Sequence, residues 1–280
     1  MFGGGTSSRP FRPDTPLGAP VKLEREKLKL TFEENFRVPV DFYNPVNDSG
    51  RWKTNYWFGW QQSASSRTYA AAKEIAVYEA YAGINPFSQD GHSLEIHVNP
   101  APAGDPRMDG KLYTGGTLTT EKSFAQRYGF FEASITMPEG PGFWPAFWLW
   151  SRQGPDSLGN EIDIVEGQTV NPAKTWHSLH LRARPGLDGK PVSVPEKPDT
   201  AEAAAEDIAR PHTYGLLWTP EEIVWFVDDN EVARRPNPGF HDEMFLILSV
   251  GVGGWEPGNA LPEKFPGKMR VHFVRVYQLR

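Results

Sequence analysis

Three carboxylates crowd one short stretch of this 280-residue chain: Glu161, Asp163 and Glu166 in GNEIDIVEG, residues 159–167. Carboxyls held close together suit acid–base and nucleophilic work, because like charge and burial push their pKa values apart. The spacers Ile162, Ile164 and Val165 are β-branched and predict a strand. Regular alternation then puts Glu161 and Asp163 on one face and Glu166 on the other. Large aliphatic spacers make the strand central, where three like charges are expensive unless they have a use. A β-bulge restores the phase, because one extra residue returns Glu166 to the face of Glu161 and Asp163. The expectation is a bulge at Ile164 or Val165.

With that bulge, Glu161 and Glu166 lie close and Asp163 stands between them. Such a pair fits retaining cleavage of a glycosidic bond, in which carboxyls about 5 to 5.5 Å apart serve as nucleophile and as acid/base. Neighbouring negative charge raises the pKa of the acid, and Asp163 is placed to hydrogen-bond the nucleophile.

The elements that must position these groups are strands. The chain carries 10 Trp, 17 Phe and 9 Tyr, with 27 Gly and 26 Pro to make turns, which favours an all-β fold. Strands are expected over 28–36, HSLEIHVNP (92–100), YTGGTLTT (113–120), YGFFEASITMP (128–138), FWPAFWLW (143–150) and WHSLHLRAR (176–184). YGLLWTP, EIVWFVDDNEVARR, MFLILSVGVG and MRVHFVRVYQL complete the series, with a hairpin turn at Asp228-Asp229-Asn230. Residues 185–211 read as a Pro-rich loop in which TAEAAAEDIA forms a short helix. With neither internal repeat nor βα alternation, the class is a β-sandwich or jelly roll. One domain is expected over 25–280, after a Gly- and Pro-rich flexible leader, 1–24.

A net charge of −6 without a basic run argues against nucleic acid and anionic membrane as partners. The absence of cysteine excludes disulfides, thiolate metal sites and cysteine nucleophiles. No apolar run reaches the length of a membrane span, and the N-terminus lacks the apolar core of a signal peptide. A monomer is expected, acting outside a bacterial cell or in its periplasm.

EIDIVE resembles the catalytic signature of glycoside hydrolase family 16, the laminarinase and lichenase group, in its bulged E-x-D-x-x-E form. GINPFSQDGHSLEI, the run from Tyr113 to Trp150, HTYGLLWTPEEIVWFVDDNEV and the C-terminal GGWEPGNALPEKFPGKMRVHFVRVYQL are similar to further stretches of that family, over about residues 30–280. The resemblance implies a β-jelly roll of two curved antiparallel sheets with a substrate groove on the concave face. It implies endo-acting, retaining cleavage of β-linked polysaccharide, β-1,3 or mixed β-1,3-1,4 glucan foremost. Carried over by position, Glu161 is the nucleophile, Asp163 its assistant and Glu166 the acid/base. The alternatives are an endoglycanase or transglycosylase acting on a bacterial exopolysaccharide and, in a different class, a non-catalytic carbohydrate-binding sandwich.

Sugars stack their C–H faces on aromatic rings. Alternation puts Trp144, Trp148 and Trp150 on one face and Phe147 on the other; the resemblance favours Trp144 and Trp148 as groove residues, and core packing is the competing reading. His177 and His180 form H-x-x-H, a spacing that puts them on opposite strand faces and speaks against a shared metal. The resemblance places His180 near the acid/base. EIAVYEA resembles a family segment that puts Glu74 and Tyr78, with Trp57 before them, at the groove edge. Lys73 stands where glucan-cleaving relatives often have Asn. Trp255 either closes one end of the groove or belongs to the core; Arg127 either orients a groove element or pairs with a surface acid. No cofactor is expected. A structural calcium known in the family would fall to Asn35 and His272, both poorer ligands for a hard cation than a carboxylate.

Overall fold

The computed structural model describes residues 20–280 except 55, 57–73, 78–84, 106–111, 153–158, 183–197 and 254–262, and leaves the side chains of 74–77 outside that description. A 3-10 turn, Arg25–Lys27, leads into β1 (Leu28–Glu34), followed by β2 (Glu74–Val77), β3 (Phe87–Gln89), β4 (Leu94–Pro100) and β5 (Tyr113–Thr119). Then come β6 (Gly129–Thr136), β7 (Phe143–Ser151), β8 (Glu161–Glu166), β9 (Lys174–His180) and β10 (Asp199–Ala204). The chain closes with β11 (His212–Trp218), β12 (Glu222–Val227), β13 (Asn230–Pro236), β14 (Met244–Val252) and β15 (Gly267–Leu279).

One layer runs β10-β9-β8-β7-β14-β5, and the other runs β15-β6-β11-β12-β13 with β1 added to β15. β4 joins them, pairing β5 along one edge and β15 along the other, while β3 lies on β4. These pairings are antiparallel; β2, which runs parallel to β5, is the exception. The result is an all-β jelly roll of two curved sheets with a groove on the concave face.

Alternation decides which side of β7 fills the core. Phe147 and Leu149 are fully buried, whereas Trp144, Trp148 and Trp150 on the other face stay half-exposed. Ile162, Leu246 and Leu248 extend the apolar side of this layer, and Phe131, Tyr214, Leu216, Trp218 and Trp225 meet it from the opposite layer. Burying each such side chain stabilises the fold by about 1.5 to 3 kcal/mol, so the face that turns inward on β7 and β8 is strongly specified.

The alanine-rich segment departs from expectation. TAEAAAEDIA is not a helix: Asp199–Ala204 forms β10, paired residue by residue with β9 from Asp199↔Leu179 to Ala204↔Lys174. Helix propensity separates ordinary residues by no more than about 0.7 kcal/mol each, and so short a helix does not repay its nucleation. The open edge of β9 offers a hydrogen-bond ladder instead. Arg235 of β13 clamps this edge to the other layer through Asp199 at 2.9 Å. The hairpin at Asp228 and Asp229 forms as expected, both residues taking the left-handed conformation (φ 50° and 63°) of a two-residue turn. Among the described residues no helix is long and apolar enough to cross a membrane.

Candidate active site

The pairing of β8 answers the question of phase. Trp150↔Glu161, Leu149↔Ile162 and Trp148↔Asp163 run in step; the next pairs are Phe147↔Val165 and Ala146↔Glu166. Ile164 is skipped, so the bulge falls at one of the two expected positions. On the other edge Asp163 faces Ser178 and Glu166 faces Trp176, leaving His177 opposite two residues. Glu161, Asp163 and Glu166 are thereby aligned with Trp150, Trp148 and Ala146, all on the groove side of β7.

The bulge is held from beneath. The Trp225 Nε1–H of β12 donates to the Asp163 carbonyl at 2.9 Å, and His177 Nδ1 lies 2.7 Å from the Ile164 carbonyl. The glycines that bracket the motif leave room for neighbours: a Cβ on Gly159 would fall 2.2 Å from Trp150 Nε1, and one on Gly167 would fall 2.3 Å from Met137 Sδ.

The three acids have different company. Glu161 Oε2 lies 3.2 Å from Arg182 Nη2, and its Oε1 lies 4.0 Å from His180 Nε2. Asp163 Oδ2 lies 2.8 Å from the same His180 nitrogen. Glu166 Oε1 accepts the Trp144 Nε1–H at 2.9 Å. Burial lowers the His180 pKa, but the charge and hydrogen bond of Asp163, backed by Glu161 and Glu166, outweigh it and lift the ring to about 9. His180 is therefore an imidazolium at neutral pH.

Burial and the charge of Asp163 push both glutamates up. Glu161 rises to about 7, restrained by His180 and Arg182. Glu166 rises well above the usual carboxylate range, with the charge of Glu161 adding to the push. His180 favours the charged form of both glutamates, whereas Arg182 favours that of Glu161, so the asymmetry directs the first ionisation toward Glu161. Such an asymmetry suits a pair in which one carboxyl attacks and the other donates a proton.

Trp144, Trp148 and Trp150 share the groove face, with Phe147 opposite, as alternation requires. Trp148 donates to Ser249 Oγ at 3.1 Å, and its ring lies 6.1 Å from those of Tyr56 and Trp150. His180 joins the acids; His177 points into the core. Glu74 opens β2 opposite Tyr113, its side chain outside the described residues; Trp57, Tyr78 and Trp255 also lie outside them. Arg127 is not brought to the acids: it is exposed, against the Tyr128 ring and the His241 carbonyl.

Sequence reasoning passed over Arg182 and Trp225. Arg182 had a signal, since it follows His180 by two residues, the strand period that keeps a face; its guanidinium lies 5.6 Å from the Trp150 ring centre. Trp225 had none, because it comes from a strand of the other layer. As for metals, Asn35 Oδ1 accepts the Arg37 N–H and His272 Nε2 lies 3.0 Å from Thr136 Oγ1. Both side chains are poorer ligands for a hard cation than a carboxylate. Among the described residues the one convergent set of metal-type ligands is Glu161, Asp163 and His180, whose ligand atoms lie within 4.8 Å of one another and already bond among themselves and to Arg182.

Comparison with known proteins identifies the family. An endo-1,3-1,4-beta-glycanase of Rhizobium meliloti, ExsH, is 34% identical over 268 residues, covering 92% of this chain and 54% of that protein. A beta-glucanase of Rhodothermus marinus is 34% identical over 191 residues, 61% of this chain and 64% of the relative. The chain thus spans about half to two thirds of these relatives. The crystal structure of SCLam, a non-specific endo-beta-1,3(4)-glucanase, superposes with a TM-score of 0.73 at 23% identity, covering 93% of this chain and 95% of that one, a likeness of fold. Residues 53–274, which include the bulged strand, both its neighbours and the three acids, match the sequence family of that fold, and the chain belongs to Glycosyl hydrolases family 16.

Proposed function

We propose that the protein is an endo-acting, retaining glycoside hydrolase that cleaves β-1,3 or mixed β-1,3-1,4 glucan. The observation that carries this reading is the Ile164 bulge, which turns Glu161 and Glu166 to one face. Glu161, ionised beside Arg182, attacks the anomeric carbon. Glu166 protonates the departing glycosidic oxygen, and a covalent glycosyl-enzyme forms. Glu166, now a carboxylate, takes a proton from water, and that water releases the sugar from Glu161 with net retention. Asp163 and its imidazolium partner His180 hold charge next to the pair. Trp144, Trp148 and Trp150 offer flat apolar surfaces for the sugar faces along the groove. The choice of glucan is supported by the names of the similar glycanase and beta-glucanase.

The test is product analysis by proton NMR during digestion of laminarin and of mixed-linkage β-glucan. Newly formed β-anomer ahead of mutarotation, together with oligosaccharides rather than glucose alone, is the expected result. An α-anomer appearing first would exclude the mechanism. Glu161→Gln is expected to lose at least about a thousandfold in kcat while still binding glucan; retained turnover would remove Glu161 from the nucleophile's role. A polymeric substrate that does not cross a membrane supports action outside the cell or in the periplasm, and a monomeric state belongs to the same proposal. Cell fractionation and sedimentation equilibrium check these two points.

A further inference from the structure

A bulge drops the extra residue's backbone groups out of the ladder. A buried carbonyl left without a donor loses about 1 to 3 kcal/mol. In β8 the carbonyls of Asp163 and Ile164 sit at that irregularity, and each is met by a side chain from the core. His177, fully buried, lies with Nδ1 2.7 Å from the Ile164 carbonyl oxygen. Facing a carbonyl, Nδ1 must carry the hydrogen, which leaves Nε2 to accept from the Thr175 hydroxyl at 3.1 Å. Burial drives the His177 pKa down to about 4, so the ring is a neutral donor with a fixed tautomer. Trp225 reaches across from β12 and donates to the Asp163 carbonyl at 2.9 Å. The two rings pack together at 6.3 Å between centres.

The alternatives to this bulge are close in sequence. Moving the extra residue from Ile164 to Val165 exchanges which aliphatic side chain is displaced. Removing it turns Glu166 into the core, because a one-residue slip flips every side chain beyond it. The aliphatic residues of β8 do little to choose among these arrangements. Two N–H groups aimed at two particular carbonyls do choose. We infer that His177 and Trp225 are positioning residues of the active site, fixing the bulge at Ile164 and with it the heading of Glu166 relative to Glu161 and Asp163. Neither residue faces the groove, so both act from the side of the sheet opposite the substrate.

The experiment compares Trp225→Phe, His177→Leu and His177→Asn. The asparagine amide nitrogen occupies nearly the place of Nδ1 and can donate the same bond. Crystal structures give the first readout, independent of any substrate. Trp225→Phe and His177→Leu are expected to shift or lose the bulge and break the 2.9 Å contact between Trp144 and Glu166, and His177→Asn is expected to keep both. Kinetics give the second readout and rest on the proposed function. Glucan needs its leaving oxygen protonated; a 2,4-dinitrophenyl β-glycoside does not. The ratio of kcat on glucan to kcat on the aryl glycoside is expected to fall roughly ten- to a hundredfold in Trp225→Phe and His177→Leu, and to recover in His177→Asn. A purely structural role would lower the melting temperature and leave that ratio unchanged.

Bulge and Glu166 contact both intact in Trp225→Phe and His177→Leu would overturn the inference, as would an unchanged ratio or an asparagine no better than leucine. Should His177→Leu fail to fold, Trp225→Phe keeps an aromatic ring in the slot and decides the matter. A wild-type protein inactive on every glucan would refute the proposed function and leave the crystallographic comparison to judge the positioning role.

Discussion

Arg182 Nη2 stands 3.2 Å from Glu161 Oε2, on the far side of the acid cluster from Glu166. This asymmetry orders the two titrations. The guanidinium favours the charged form of Glu161, the form that the proposed mechanism needs for attack on carbon. Arg182→Leu therefore raises the Glu161 pKa, and the acid limb of kcat/KM moves to higher pH. Because the Arg182 side chain is 42% exposed and partly screened, a shift of roughly half to one pH unit is expected. Arg182→Lys should restore most of it. An acid limb that stays put in Arg182→Leu would show that this pair does not set the charge of the nucleophile.

In the proposed mechanism the alkaline side of the same profile belongs to Glu166. Burial, Asp163 and Glu161 together raise its pKa, so it keeps its proton to higher pH than an ordinary carboxylate. Glu166→Ala is expected to lower kcat on glucan by about 10²- to 10⁴-fold and to flatten the alkaline limb. Azide fills the space left by the side chain and should trap a β-glycosyl azide from an activated substrate. A product without azide would mean that Glu166 is not the acid/base.

His180 reports on Asp163. Burial alone would lower the imidazole's pKa, and Asp163 is the foremost group lifting it to about 9. Asp163→Asn removes that charge, so His180 is expected to deprotonate at distinctly lower pH. The repulsion that helps raise both glutamates is removed as well. Imidazole NMR titration of wild type and variant measures the change. A His180 that still titrates near 9 in Asp163→Asn would show that the 2.8 Å contact is not what charges it.

Gly159→Ala probes the floor beneath Trp150. The new Cβ would fall 2.2 Å from the indole nitrogen, a clash that forces the ring to move. A loss of about 1 to 3 kcal/mol in unfolding free energy is expected, with a change in tryptophan fluorescence. Since the Arg182 guanidinium packs over Trp150, the acid limb should shift in the same direction as in Arg182→Leu. Unchanged stability and fluorescence would show that the indole has room to yield.

Much of this site was legible in one dimension. Strand alternation is a local rule with a period of two. It put Trp144, Trp148 and Trp150 on one face, separated His177 from His180, and marked Glu166 as out of phase by a single residue. The same rule reached Arg182 from His180. What it lacked was a reason to single that residue out, because nothing local says that an arginine two places on will meet Glu161 across a strand pair. The alanine-rich segment was misread for a related reason: its propensity is local, whereas the strand edge that captured it is not.

By itself, the sequence determined that three acids sit in one strand with the last out of phase by a single residue, and it pointed to a bulge at Ile164 or Val165 as the way to bring them to one face, because strand side chains alternate with a period of two. Tertiary structure alone decided which of the two positions carries the extra residue, which acid lies beside a cation, and which core donors meet the bulge carbonyls. Those outcomes depend on β9 and β12. Sheet pairing and layer packing bring these strands to β8 through the burial of apolar faces, and the spacing of residues within β8 does not record that arrival.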